Sequence, residues 1–249
     1  MWWSFNYPRT LASGSETAEF YYGPDRQKWK QTYSDGSNTE TTYYFDNLIE
    51  QVNAGSVTDW RHSIYAGGKV VAVYSRDGTN NTLRYVLSDH QGSVSSITTN
   101  AGATYANESF TAYGKRRDAS DWSGDLTGTE WATLNAVSRT GYTGHGQIGT
   151  MNLNHMNGRV QDAVTGVFLS ADPYVTDPGL TQNYHRYGYV YNNPLSFTDP
   201  SGFACETVRH DVPGYSYSYT IANGYTNSFG ETYLDEEVRG WVEGYSYET

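Results

Sequence analysis

A single cysteine, Cys205, leaves no internal disulfide framework and no multi-cysteine metal site. The six histidines (His62, His90, His145, His155, His185 and His210) fall at no metal-ligand spacing such as HExxH or HxH. No Gly-x-Ser-x-Gly elbow, Walker loop or GxGxxG turn occurs, which removes the hydrolase and nucleotide-binding templates. No metal and no cofactor is expected. No apolar run approaches the ~20 residues of a membrane span. Met1-Trp2-Trp3-Ser4 lacks the charged and apolar regions of a signal peptide. Lys and Arg number 16 against 27 Asp and Glu, a net charge of −11, which argues against a phosphate-tracking surface and so against nucleic acid as partner. The one basic cluster, Lys115-Arg116-Arg117, reads as a solvated turn. Proline is sparse at 7 residues, and strong helix formers are scarce.

The 24 Tyr and 26 Gly, with abundant Thr, Ser and Asn, favour pleated strands joined by polar turns. At 249 residues the chain can bury a core as one larger all-β domain or two small ones. Strand-like runs at Ala18–Tyr22, Lys28–Tyr33, Thr41–Phe45, Ser63–Tyr65, Lys69–Tyr74, Leu83–Leu87, Ser93–Thr98 and Thr104–Phe110 alternate with turn signals, among them Asp35-Gly36, Gly67-Gly68 and Asp77-Gly78. Asp-Gly and Gly-Gly suit two-residue hairpins because their backbones tolerate positive φ. The reading is a ladder of antiparallel hairpins over residues 1–117, with a suspected repeat. Residues 118–140 break the rhythm, and Thr129–Val137 is the one place where a helical period fits.

Residues 141–203 are punctuated by Asp172-Pro173, Asp177-Pro178 and Asp199-Pro200, each a rigid turn presenting a carboxylate. Most such dipeptides simply cap turns. Asp199-Pro200-Ser201-Gly202 reads as a tight turn in which glycine supplies positive φ. Residues 204–249 change character, being acidic and Tyr-rich with strict alternation from Tyr215 to Tyr219. They are too few for an autonomous enzyme core, and Asp235-Glu236-Glu237 argues against a nuclease built on Glu206, His210 and Asp211.

Two groups of motifs resemble the Rhs/YD-repeat family. Tyr22-Gly23-Pro24-Asp25-Arg26 is similar to its Tyr-Asp-x-x-Gly-Arg unit, and Tyr85 to Ser93, with Asp89-His90-Gln91-Gly92, to its Tyr-x-x-x-Asp-His-x-Gly-Ser variant. The context makes Asp89-His90 a hairpin turn rather than a catalytic pair. Thr143-Gly144-His145, Gly158-Arg159, Phe168 to Pro173, Tyr187-Gly188-Tyr189, Asn192-Asn193-Pro194 and Asp199 to Phe203 look like the family's repeat-associated core, in order and spacing. The resemblance covers about residues 5–203.

It implies an all-β fold: a curved antiparallel sheet of YD-type hairpins, part of a hollow shell, closed by an end-plug core domain at 141–203, with 204–249 as a variable tail. Residues 5–203 are then expected to form one continuous sheet with exposed edges that tend to associate. The expected partners are upstream repeats of a longer chain, the chain's own C-terminal segment, and an immunity protein or secretion apparatus. The setting implied is a bacterial secreted or cell-surface polymorphic toxin. A cell-surface or carbohydrate-binding repeat protein without catalysis is the rival, distinguished by whether Tyr184, Tyr187, Tyr189 and Tyr191 face an interior or solvent. The resemblance further implies single-turnover aspartyl autoproteolysis by Asp172 and Asp199, cutting Phe203-Ala204, with Asp177 as rival to Asp172. Such a pair is expected to share one proton. Where the family pattern has Gly-Arg-Phe ahead of Leu-Ser-x-Asp-Pro, this chain has Gly166-Val167-Phe168, so no arginine is expected beside the carboxylates.

Overall fold

The computed structural model describes residues 1–175 and 181–203, and beyond these the strand backbones at 206–207, 209–212, 215–221, 236–242 and 245–248. The chain divides into two units, Met1–Glu206 and Thr207–Thr249. The described part is mostly antiparallel sheet. Ten strands run in sequence order through one open sheet: β1 (Thr10–Ser13), β2 (Glu16–Tyr22), β3 (Lys28–Ser34), β4 (Thr39–Phe45), β5 (Ile49–Ala54), β6 (Val57–Ala66), β7 (Lys69–Arg76), β8 (Asn81–Ser88), β9 (Val94–Thr99) and β10 (Thr104–Asn107).

The turns explain this meander. Gly67 and Gly68, both at positive φ, join β6 to β7 in two residues, as a twisted hairpin requires. Two other hairpins share one device. Asp35 Oδ1 accepts the backbone N–H of Ser37 and of Asn38, each at 2.7 Å, and Asp77 Oδ1 accepts those of Thr79 and Asn80 at 2.8 and 2.6 Å. A carboxylate takes the place of a backbone acceptor in both loops.

One face of the sheet is covered. At its start, Ala18 and Phe20 pack against Ile148 and Val160; further along, Val73, Val86, Val94 and Ile97 pack against Leu134 and Val137. Leu134 and Trp131 are the buried side of α1 (Gly128–Asn135), whose start is fixed by a Thr127/Glu130 capping box. The helix thus covers Gly128–Asn135 and ends at its C-cap Ala136, short of Val137. Beyond it Arg139 bonds Thr42 Oγ1 at 2.7 Å and ion-pairs with Glu40, pinning the crossing chain to β4.

Two expectations need correction. The sheet does not run continuously to residue 203. It ends at β10, whose register against β9 shifts between Thr104 and Ala106, and the chain then folds back as its own hairpin, β11 (Ser109–Phe110) with β12 (Arg116–Arg117). A separate four-stranded sheet follows: β13 (Gly146–Gln147), β14 (Leu153–Met156), β15 (Arg159–Asp162) and β16 (Val167–Phe168). Nor is Lys115-Arg116-Arg117 a solvated turn. Arg116 is buried, pairs with Glu108 at 2.9 Å and lies over the Trp131 ring. Burial pushes the Glu108 pKa up to about 7, against the pull of Arg116.

In the second unit the backbone pairs antiparallel at Arg209–Val212 with Tyr245–Glu248, and at Tyr215–Ile221 with Glu236–Val242. The alternation read at Tyr215–Tyr219 thus falls in a strand.

Candidate functional site

The site is built on the β14–β15 hairpin. Met156, Phe168, Tyr142, Tyr189 and Val190 form the core beneath it. Its turn, Asn157-Gly158, is where the Asp199-Pro200-Ser201-Gly202 segment is strapped down. Four successive carbonyls of that segment are each held. Asp199 O contacts His145 Nε2 at 2.9 Å, and Pro200 O accepts Asn157 Nδ2 at 3.0 Å. Ser201 O accepts the Gly158 N–H at 3.0 Å, and Gly202 O accepts Arg159 Nε. Gly202 has φ +76°, and a Cβ there has no room against Met156 O, so only glycine fits.

Arg159 organises the charges. It is buried, stacked 3.6 Å from the Phe168 ring centroid, and its Nη2 lies 2.9 Å from Asp172 Oδ2 and 3.3 Å from Asp199 Oδ2. The structure thus brings both sequence-selected carboxylates to one cation. Burial lowers the Arg159 pKa from its ordinary value, and Asp172 and then Asp199 oppose that. Asp199 is buried; its Oδ1 also accepts the Phe203 N–H at 3.0 Å. Asp172 is half-buried, and its Oδ1 caps a turn by accepting the Tyr174 N–H at 2.9 Å. Its backbone is fixed to Arg186, which donates from Nε at 2.5 Å and accepts from the Asp172 N–H at 2.8 Å. Behind the site, burial pushes the His145 pKa down to about 4, so the ring is neutral where it meets Asp199 O.

The expectation that no arginine stands beside the carboxylates is overturned. Val167 lies in β16 opposite Asp162, and the arginine beside the carboxylates is Arg159 from the neighbouring strand. Gly158-Arg159 was visible as a motif, but its contacts reach Asp172 and Asp199 far along the chain. Asp177 and Ala204 lie outside the described residues.

Arg159, Asp172, Asp199 and Phe203 line one cavity of about 100 Å³, walled in part by Arg186 and Tyr191. A space of that size can admit water next to both carboxylates. Among the described residues no group of three or more His, Cys, Asp or Glu is placed to hold a metal. No helix among them is long and apolar enough to cross a membrane. Of the four tyrosines that separate a closed interior from an open face, Tyr189 is buried and Tyr191 half-buried, whereas Tyr184 and Tyr187 are exposed. Asp89 closes the β8–β9 turn by accepting the Gln91 and Ser93 N–H groups, each at 2.9 Å, and thus has a turn role.

No protein-family model matches the chain. Among curated proteins it is similar to the tRNA nuclease WapA of Bacillus subtilis strain 168, 26% identical over 184 residues. It is also similar to the tRNA(Glu)-specific nuclease WapA of Bacillus subtilis subsp. natto, 29% identical over 185 residues. Each alignment covers 65% of this chain and 7% of the relative, so the chain spans a small part of these proteins. Among solved structures, the complex of TcdB2-TccC3 with Cdc42 matches at TM-score 0.62 and 20% identity, over 82% of this chain and 10% of that one. The Photorhabdus luminescens Tc holotoxin pore carrying a TccC3 mutant matches at TM-score 0.62 and 19% identity, over 95% of this chain and 11% of that one. The structural likeness shows the fold, that of Rhs-type shell proteins, and the WapA similarity supports the Rhs family.

Proposed function

We propose that this chain is the C-terminal shell-and-plug portion of an Rhs/YD-repeat, polymorphic-toxin-like protein, and that its plug hydrolyses the chain once, between Phe203 and Ala204. The observation that carries this reading is the clamp on the residues preceding that bond. Arg159 holds the Gly202 carbonyl while binding Asp172 and Asp199, and Asp199 holds the Phe203 N–H. The Gly202-Phe203 peptide is thereby fixed at both polar ends, which removes much of the entropic cost of presenting the next bond.

In this scheme water from the cavity attacks the Phe203 carbonyl carbon, and its proton passes to a carboxylate. Asp172 is the better placed for that, being the half-buried member at the cavity, with its Oδ1 accepting from the Tyr174 backbone amide. The C–N bond to Ala204 breaks, and the departing amine takes a proton, so two new ends replace one peptide bond. Arg159 stabilises the negative charge of the pair and of the tetrahedral oxygen. Residues 204–249 are the variable segment released, and upstream repeats of a longer secreted or cell-surface bacterial chain complete the shell. Intact-mass analysis of the purified chain tests this: a product beginning at Ala204 is expected. A chain that stays whole at every pH from 4 to 9 would refute cleavage while leaving the shell reading in place.

A further inference from the structure

The aromatic side chain at position 203 sits in a subsite of its own, and part of that subsite comes from far away in sequence. Its floor is Gly158, where a Cβ has no room against the Phe203 ring. Tyr174 meets the ring edge-on, centroids 6.4 Å apart at 88°. The Arg159 guanidinium lies 5.5 Å from the centroid. The fourth wall is Tyr7, whose ring lies 5.9 Å away at 44°. Tyr7 belongs to the lead-in before β1, outside the plug.

That lead-in is held in place. Trp2 bridges to Pro8, the Trp3 N–H donates to Tyr7 O at 2.9 Å, and Pro8 is buried. Tyr7 packs edge-on against Tyr22 at 5.2 Å, and the Tyr22 hydroxyl meets His155 Nε2 on β14 at 2.8 Å. The ring of Tyr7 is thus held beside Phe203 by Tyr22 of the sheet, which is itself tied to β14 of the plug.

Resting on the autoproteolytic reading above, we propose that Tyr7 is a positioning residue that selects a flat aromatic side chain at position 203 and makes cleavage depend on docking of the lead-in. A ring slides between Tyr7 and the Gly158 floor beside Tyr174 and the guanidinium, contacts that favour an aromatic side chain over an aliphatic one. Loss of Tyr7 leaves the ring free to swing, and the bond that follows it loses register with the carboxylates.

The test is a size exchange in the full chain, read by intact mass, combined with a 4-fluorophenylalanine at position 203 read by ¹⁹F NMR. Tyr7→Ala is expected to slow cleavage on the order of 100-fold, as small misplacements do, and to move the ¹⁹F resonance. Tyr7→Phe, which keeps the ring, should restore both. Phe203→Trp should be cleaved poorly in the parent chain and better when combined with Tyr7→Ala, a rescue that a merely structural role for Tyr7 does not produce. If the combination cleaves no better than Phe203→Trp alone, or the resonance ignores Tyr7→Ala in a folded chain, the subsite assignment fails. If the resonance moves but no variant, parent included, ever cleaves, the autoproteolytic reading fails and takes the positioning role with it.

Discussion

Arg159 and Asp199 lie 40 positions apart in sequence, and the guanidinium Nη2 of one comes within 3.3 Å of the carboxylate Oδ2 of the other in a buried setting. A buried pair of this kind adds little net stability when whole, but breaking it leaves an uncompensated charge and costs about 3–5 kcal/mol. Arg159→Met is therefore expected to lower the urea midpoint strongly and to abolish cleavage. Arg159→Lys is the sharper probe. An ammonium is a point charge and cannot serve Asp172, Asp199 and the Gly202 carbonyl together as the planar fork does. It should keep much of the stability and still lose the reaction, measured by denaturation and intact mass on the same sample.

His145 makes stability pH-dependent. Burial pushes its pKa from 6.5 down to about 4, so the native state keeps the ring neutral while the unfolded chain takes up a proton below 6.5. Protons then favour unfolding, and stability is lost as pH falls from 6.5 toward 4, by about 3 kcal/mol from this group alone. His155, also pushed down chiefly by burial, acts in the same sense. His145→Gln keeps a donor for Asp199 O and removes the titration. Urea unfolding from pH 7 to 4 should fall less steeply in this variant; an unchanged slope would contradict the burial of a neutral ring.

Much of the sheet was legible because its turns are short and chemically explicit. Asp35-Gly36, Gly67-Gly68 and Asp77-Gly78 each fix a hairpin within a few residues, and alternation does the rest. β1 and β5 are less legible because half of Thr10–Ser13 and of Ile49–Ala54 is polar, without strict alternation, and flanking partners complete them as strands. The site was half legible. Its carboxylates announced themselves through Asp-Pro steps, while Arg159 did not, because nothing near it in sequence reports partners on Asp172 and Asp199. Position 167 ahead of Phe168 is a valine, and the fold supplies the arginine across a strand pair instead. Tyr7 was less visible still, since its partner lies at the other end of the unit.

Gly202 offers a test of the strap without touching a charged group. Its φ of +76° costs an L-residue about 1–3 kcal/mol, and a methyl there collides with the Met156 carbonyl. Gly202→Ala is expected to dislodge the segment from the Asn157-Gly158 turn and to stop cleavage, with the core around Tyr142 and Phe168 intact by near-ultraviolet circular dichroism. Cleavage at the parental rate would show that the strap is incidental.

The carboxylates themselves carry the last prediction. Asp172 and Asp199 meet on Arg159, but their surroundings differ: Asp199 is buried and holds the Phe203 N–H, whereas Asp172 is half-buried at the cavity. Asp172→Asn removes the group best placed to take a proton from water, and because Asp172 is the nearer of the two carboxylates on buried Arg159 it should cost stability too. Asp199→Asn can still accept from Phe203 but no longer balances Arg159, so it should lose cleavage and destabilise the plug as well. Asp177→Asn should cleave as the parent does, since the clamp on Gly202 and Phe203 is already complete without it. Mass spectrometry of the three variants, incubated beside the parent chain, separates the possibilities. A product beginning at Ala204 that persists in Asp199→Asn would overturn the assignment, and loss of cleavage only in Asp177→Asn would transfer the role of Asp172 to that residue.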